Sequence, residues 1–146
     1  MKRILMLAVA AALSVGASAC QDTTSPGAVL SGTYTLQLIN NTPPPVNLGV
    51  DPSTGYSTDV LGGQIQINRD GTFSDVVTLR DVSPNGVPGA PYTDPIYGSW
   101  SLSGDTVQFY DSSNPNNTYY ATVSGNQLIF YNTGSGGFNY TTIYSK

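Results

Sequence analysis

Residues 98–110, GSWSLSGDTVQFY, set Trp100, Leu102, Val107 and Phe109 against Ser99, Ser101, Gln108 and Tyr110 in strict alternation, with Gly104-Asp105 at the centre. Successive side chains of a strand point to opposite faces, so alternation on both sides of a Gly-Asp pair specifies a β-hairpin with one apolar face. Glycine in the leading position accepts the positive φ of a type II′ turn. Residues 103–109, SGDTVQF, recur 21 positions later as SGNQLIF at 124–130. One such recurrence is too few for a propeller or solenoid and describes two like hairpins in one sheet.

Working outward, the same alternation predicts eight strands, at 33–39, 62–68, 72–80, 96–102, 106–110, 118–123, 127–131 and 137–144. Asp70-Gly71 suits a type I′ turn, and Gly125-Asn126 repeats the Gly-first pattern. These tight turns are the second, fourth and sixth connections. The first (40–61), third (81–95), fifth (111–117) and seventh (132–136) are longer, and the first and third are rich in proline. In an up-and-down meander, odd and even connections lie at opposite ends, so one end is closed and the other carries long loops.

Eight antiparallel strands in sequence order predict an all-β, eight-stranded up-and-down barrel, which leaves no open edge. A two-sheet β-sandwich satisfies the same periodicity. Alternation points Tyr34, Leu36, Leu38, Ile65, Ile67, Phe73, Val77, Leu79, Trp100, Leu102, Val107, Phe109, Leu128, Phe130, Phe138 and Tyr140 inward. Asp75 shares the parity of Phe73 and Val77, where a lone carboxylate is costly unless it is paired. Contact with Arg69 or Arg80, a wet barrel mouth, or a bulge that turns it outward would each relieve that cost.

Composition limits the chemistry. The 146 residues include no His, no Glu, one Cys, and nine acids that are all Asp. Imidazole bases, His-ligated zinc and Ser-His or Cys-His pairs are excluded, and no catalytic constellation emerges, so the reading is of a protein that is not an enzyme and needs no cofactor. Asp51-x-Ser53-x-Gly55-x-Ser57-x-Asp59 spaces oxygen ligands as a Ca²⁺ loop would, but it lacks the acidic density and closing Glu of such a loop, and no metal is expected.

Met1-Lys2-Arg3 followed by the apolar run 4–15 has the form of a secretory signal, too short for a mature membrane span. Ala17-Ser18-Ala19-Cys20 resembles the lipobox of bacterial lipoproteins, which implies cleavage before Cys20 and acylation of its thiol. Ala17-Ser18-Ala19 also reads as an ordinary A-x-A cleavage site. Residues 1–19 are then a signal, 20–30 the acylated Cys and a polar tether, and 31–146 the barrel domain. From Cys20 onward, three basic residues against nine Asp leave a net charge of −6, with no basic surface for nucleic acid or an anionic membrane. Attachment to a bilayer falls to the lipid, and Gln21 after the Cys implies, by the same resemblance, sorting to the outer membrane of a Gram-negative cell envelope. Tethering at the start of the first strand holds the closed end to the membrane and turns the long loops away.

From about residue 31 the chain resembles bacterial lipocalin-like lipoproteins. The features are Gly32-Thr33-Tyr34 opening the first strand, a long first loop, Asn68-x-Asp70-Gly71-Thr72-Phe73, and Gly98-x-Trp100-x-Leu102-Ser103-Gly104-Asp105. In lipocalins proper the Gly-x-Trp lies on the first strand, beneath a basic residue from near the chain end. Here Tyr34 occupies that strand, and Lys146 is the available basic partner. The resemblance implies a cup for a small apolar or amphipathic ligand.

The large inward residues can consume the interior of so small a barrel, and a filled or nearly filled core is expected. Where a cavity exists, its mouth falls under the long loops near Leu38, Leu79, Ile96, Phe109, Tyr119 and Phe138. Tyr56, Tyr92, Tyr97, Tyr110, Tyr119 and Tyr131 lie in or beside those loops and suit contact with a ligand, a glycan or a protein, while β-propensity alone also accounts for them. Two functions follow: a ligand-binding envelope lipoprotein, or a structural or adhesive envelope protein with a filled core.

Overall fold

The computed structural model of the chain describes residues 26–133 and 139–146. A short helix, α1 (Pro26–Leu30), precedes strands β1 (Gly32–Ile39), β2 (Val46–Val50), β3 (Ser57–Ile67), β4 (Thr72–Val82), β5 (Tyr92–Ser103), β6 (Thr106–Asp111), β7 (Thr118–Ser124), β8 (Gln127–Thr133) and β9 (Asn139–Ser145). The sheet runs β1-β9-β8-β7-β6-β5-β4-β3-β2, and β1 also pairs with β3. Eight antiparallel strands therefore close into a barrel, which rules out the sandwich.

The strand β2 lies outside that ring and was not expected. Its residues are almost wholly exposed, so burial imposes no alternation on them. The partners on β3 explain its presence. Gly32 to Thr35 of β1 pair with Ile67 to Gln64 of β3, while the earlier part of β3, Ser57 to Val60, is covered by β2. Backbone N–H and C=O groups that β1 leaves behind thus find partners on the inserted strand. β3 and β5 also start earlier than alternation indicated, at Ser57 and Tyr92, which shortens the first and third loops.

Two register shifts reset the inward parity. Between Leu36 and Leu38 the β1 to β9 pairing passes from Leu36↔Tyr144 to Leu38↔Ile143, leaving Gln37 as the extra residue. Ile39 becomes buried in place of Leu38, which is only half-buried, so the inward assignment of Leu38 is corrected. A second shift, between Val60 and Gly62 of β3, brings both Val60 and Ile65 into the core.

At the closed end, Gly104 (φ 60°) and Gly125 (φ 59°) lead two-residue turns, as type II′ geometry requires. The turn at Asp70-Gly71 differs from the expected type I′. Only Gly71 has positive φ (87°), and Asn68 N donates to Thr72 O at 2.9 Å, giving a three-residue loop that ends in a left-handed glycine. Asp70 Oδ1 accepts from Thr72 N (3.0 Å) and Thr72 Oγ1 (2.6 Å), which holds the loop.

The helix α1 seals this end. Pro26–Leu30, expected to belong to a loose tether, packs under the barrel with Leu30 only 2% exposed. Tyr34 Oη donates to Leu30 O at 2.9 Å, and Lys146 Nζ donates to Val29 O at 2.5 Å. Trp100 Nε1 donates to Asn68 O at 3.0 Å, fixing the indole beside α1 near Gly27.

Candidate functional site

Side chains fill the lower half of the barrel and leave the upper half open. Tyr34, Ile65, Ile67, Val107 and Leu128 are fully buried beneath a layer of rings. In that layer Phe73 meets Phe109 edge-on at 4.9 Å, Phe109 stacks on Tyr119 at 5.1 Å and 16°, and Phe130 meets Tyr144 edge-on at 5.6 Å. These geometries are the favourable ones for aromatic quadrupoles and form a rigid floor.

Above the floor lies a cavity of about 400 Å³ that opens toward the long loops. It is in the size range of small-molecule sites, and an eight-stranded barrel can hold one such ligand. Its apolar wall comprises Leu36, Ile39, Val60, Val77, Leu79 and Ile96, with Leu48 of β2 at the rim. The expectation of a nearly filled core therefore holds below the floor and fails above it. Residues near the mouth are smaller than the rings beneath, and Asp75, Asn132 and Thr142 take up inward positions that bulky apolar residues would otherwise fill.

Of the residues expected at the mouth, Leu79, Ile96 and Tyr119 line the cavity. Phe109 lies under Tyr119 with no exposed surface and belongs to the floor. Leu38 is displaced from the lining by the β1 bulge. Tyr92 is exposed at the start of β5 and does not line the cavity; its hydroxyl donates to Asp81 Oδ1 at 3.1 Å. Tyr97, Tyr110 and Tyr131 are exposed and lie on the outer wall, because their parity is opposite to that of Ile96, Phe109 and Phe130. Tyr56 is exposed in the β2 to β3 connection, while Phe138, like Cys20, falls outside the described residues. Alternation missed Val60, Thr142 and Tyr144 in the lining. Extending the parity of Tyr140 by two and four residues would have found the last two.

The polar chemistry concentrates on Asp75. This carboxyl on β4 is 8% exposed, faces the cavity, and contacts neither arginine. Arg80 is instead committed to Asp59, with Nη2 2.6 Å from Oδ2. Asp75 Oδ1 and the Tyr119 hydroxyl are both buried without completing a hydrogen bond, although they lie close enough to influence each other. Burial, and secondarily the charge of Asp94, push the Asp75 carboxyl up to about 7, against a lowering influence from Tyr119. Burial, and secondarily the Asp75 charge, raise the Tyr119 and Tyr144 phenols.

The oxygens of the calcium-like spacing are used locally. Asp51 Oδ1 accepts from Ser53 N and Oγ at 2.8 and 2.7 Å, which makes a turn, and Asp59 binds Arg80 and Asn47.

Comparison with known families finds that residues 30–130 match the model described as Lipocalin-like domain. Comparison with the curated proteins and with the solved structures gives no match.

Proposed function

The chain belongs to the lipocalin-like domain family, and from that premise we propose that it is a non-enzymatic binding protein of the bacterial cell envelope. It holds one small apolar or amphipathic molecule at the long-loop end of its barrel. The observation that carries this reading is the apolar-walled cavity of about 400 Å³ above the aromatic floor. The family likeness supports it, since lipocalin-like barrels are in general binders of small hydrophobic molecules.

Anchoring is part of the proposal. Cys20, after Ala17-Ser18-Ala19, is acylated and becomes the mature N-terminus, and Gln21 directs the protein to the outer membrane. The position of Pro26–Leu30 against the closed end supports an orientation in which the cavity faces away from the bilayer. Radiolabelled palmitate incorporated by the wild type and not by Cys20→Ala tests the anchor.

Ligand binding is tested with a hydrophobic fluorophore titrated into the chain carrying Cys20→Ser. One fluorophore per chain, with affinity reduced at least about tenfold by Leu79→Trp, is the expected result. No saturable binding overturns the reading.

A second reading, a structural or adhesive role through contact with a protein or glycan, draws support from exposed Tyr97, Tyr110, Tyr120 and Tyr131 on the outer wall of consecutive strands β5 to β8. It predicts that serine at these positions abolishes surface adhesion and leaves fluorophore binding intact.

A further inference from the structure

Among the described residues, every charged side chain that lines the cavity is an acid. Asp75 and Asp94 contribute carboxyl groups, Asn117, Asn132, Thr142 and three tyrosines contribute neutral polar atoms, and no Lys or Arg is present among the described residues of the lining. The charged and titratable groups that face Asp75 are Asp94 from β5, Tyr119 from β7 and Tyr144 from β9. None supplies a cation. Asp75 Oδ1, an acceptor, and the Tyr119 hydroxyl, a donor as well as an acceptor, are therefore neighbours in space turned toward an apolar chamber, and neither completes a hydrogen bond within the protein.

A buried polar atom without a partner is costly, and native structures seldom retain one unless something else completes it. A carboxylate ligand would meet two acids and no donor of opposite charge. A neutral alcohol brings a single donor and no charge to set against the carboxylate. An ammonium group brings three N–H donors and the missing positive charge, while its alkyl body matches the wall of Leu36, Val60, Val77 and Leu79. We propose that the cavity selects an amphipathic amine, with the protonated nitrogen held against Asp75 and the apolar body against the upper wall. The inference rests on the cavity being a binding site, and names the class of molecule that enters it.

The pairing also carries a pH dependence. With Asp75 titrating near 7 in the empty barrel, its charged form is in the minority at pH 6 and dominant at pH 8, whereas a primary amine stays protonated throughout. Affinity for the amine then rises about tenfold from pH 6 to pH 8, and binding near pH 6.5 releases a proton.

The test uses three probes of equal chain length, decylammonium, decanol and decanoate, titrated calorimetrically into the full-length chain carrying Cys20→Ser. The same chain with Leu79→Trp serves as the blocked control. At pH 8 decylammonium is expected to bind about tenfold more tightly than decanol, and decanoate most weakly. Asp75→Asn removes both the preference for the amine and the rise with pH. If decanol or decanoate matches decylammonium, the amine selectivity is overturned while the cavity remains a binding site. If none of the three binds above the blocked control, both readings fall. Retention of the amine preference by Asp75→Asn overturns the role of Asp75. Should that variant fail to fold, a flat affinity of the parent chain between pH 6 and pH 8 does the same.

Discussion

The ammonium of Lys146 lies 5.1 Å from the centroid of the Tyr34 ring, while Tyr34 Oη donates to Leu30 O below it. The last residue of the chain is thus laid over the aromatic of the first strand, and the two together hold α1 against the closed end. Tyrosine does here what the resemblance assigns to tryptophan, and its hydroxyl adds a hydrogen bond to the plug.

Lys146→Ala removes this contact and the hydrogen bonds from Nζ to Val29 O and Ser31 O. Because the side chain is largely exposed, the expected loss is about 1 kcal/mol by urea denaturation. Lys146→Met keeps the stem over the ring and loses less. Equal effects would assign the contact to the ammonium alone, with no share for the packing of the stem.

Asp75 makes the protein less stable as pH rises. Its folded value near 7 exceeds its ordinary value of 3.8, so between those pH values the unfolded chain gives up a proton that the folded chain retains. Below pH 4 the two states match. Above pH 7 the penalty is complete, at most about 4 kcal/mol. Asp75→Asn should therefore stabilise the fold at pH 8 and change little at pH 4, which melting temperatures measured at the two pH values will show.

Asp111 behaves in the opposite way. Its Oδ1 accepts from Ser113 Oγ, Ser113 N and Asn114 N, and its Oδ2 from Asn117 Nδ2, fixing the turn between β6 and β7. The hydroxyl of Ser113 foremost, then Asn117 and the backbone amide of Ser113, hold the carboxyl down at about 2. Its stabilising effect is complete above pH 4 and fades as pH falls toward 2. The gap in melting temperature between wild type and Asp111→Ala should close over that interval and stay constant from pH 5 to pH 8.

Gly98 admits no side chain. A Cβ there would come within 1.8 Å of Tyr110 O and 2.9 Å of Phe73 Cε1. Because backbone is in the way, the strands must part, and Gly98→Ala is expected to cost about 3 kcal/mol or more. Soluble yield and the near-ultraviolet signal of the aromatic floor report the loss. Ser99→Ala, its exposed neighbour, should be nearly neutral.

Most of the barrel was legible because its strands are wet on one face and dry on the other. Period-two alternation located all eight barrel strands and the parity of Phe73, Phe109, Leu128 and Phe130. What escaped has two physical origins. β2 is exposed on nearly all its length and carries no pattern, and the bulges at Gln37 and Leu61 each insert one residue, which shifts every later side chain without changing composition. The candidate site is less legible, because parity along the strand, and not nearness to a loop, decides which way a side chain points. Tyr97, Tyr110 and Tyr131 neighbour long loops, yet each stands one position from an inward residue and faces solvent. Asp75, the one acid that broke the inward pattern, proved to face the cavity as strict alternation required.

The aromatic layer of Phe73, Phe109, Tyr119, Phe130 and Tyr144 divides the molecule into two halves with separate duties. Beneath it, tightly packed residues carry the folding free energy and tolerate little change. Above it, Leu48, Val60, Val77, Leu79 and Ile96 border open space, so altering their size reshapes the chamber without creating voids in the packed half. The shape of the chamber can consequently change while the architecture stays constant. A partition of this kind makes a barrel evolvable.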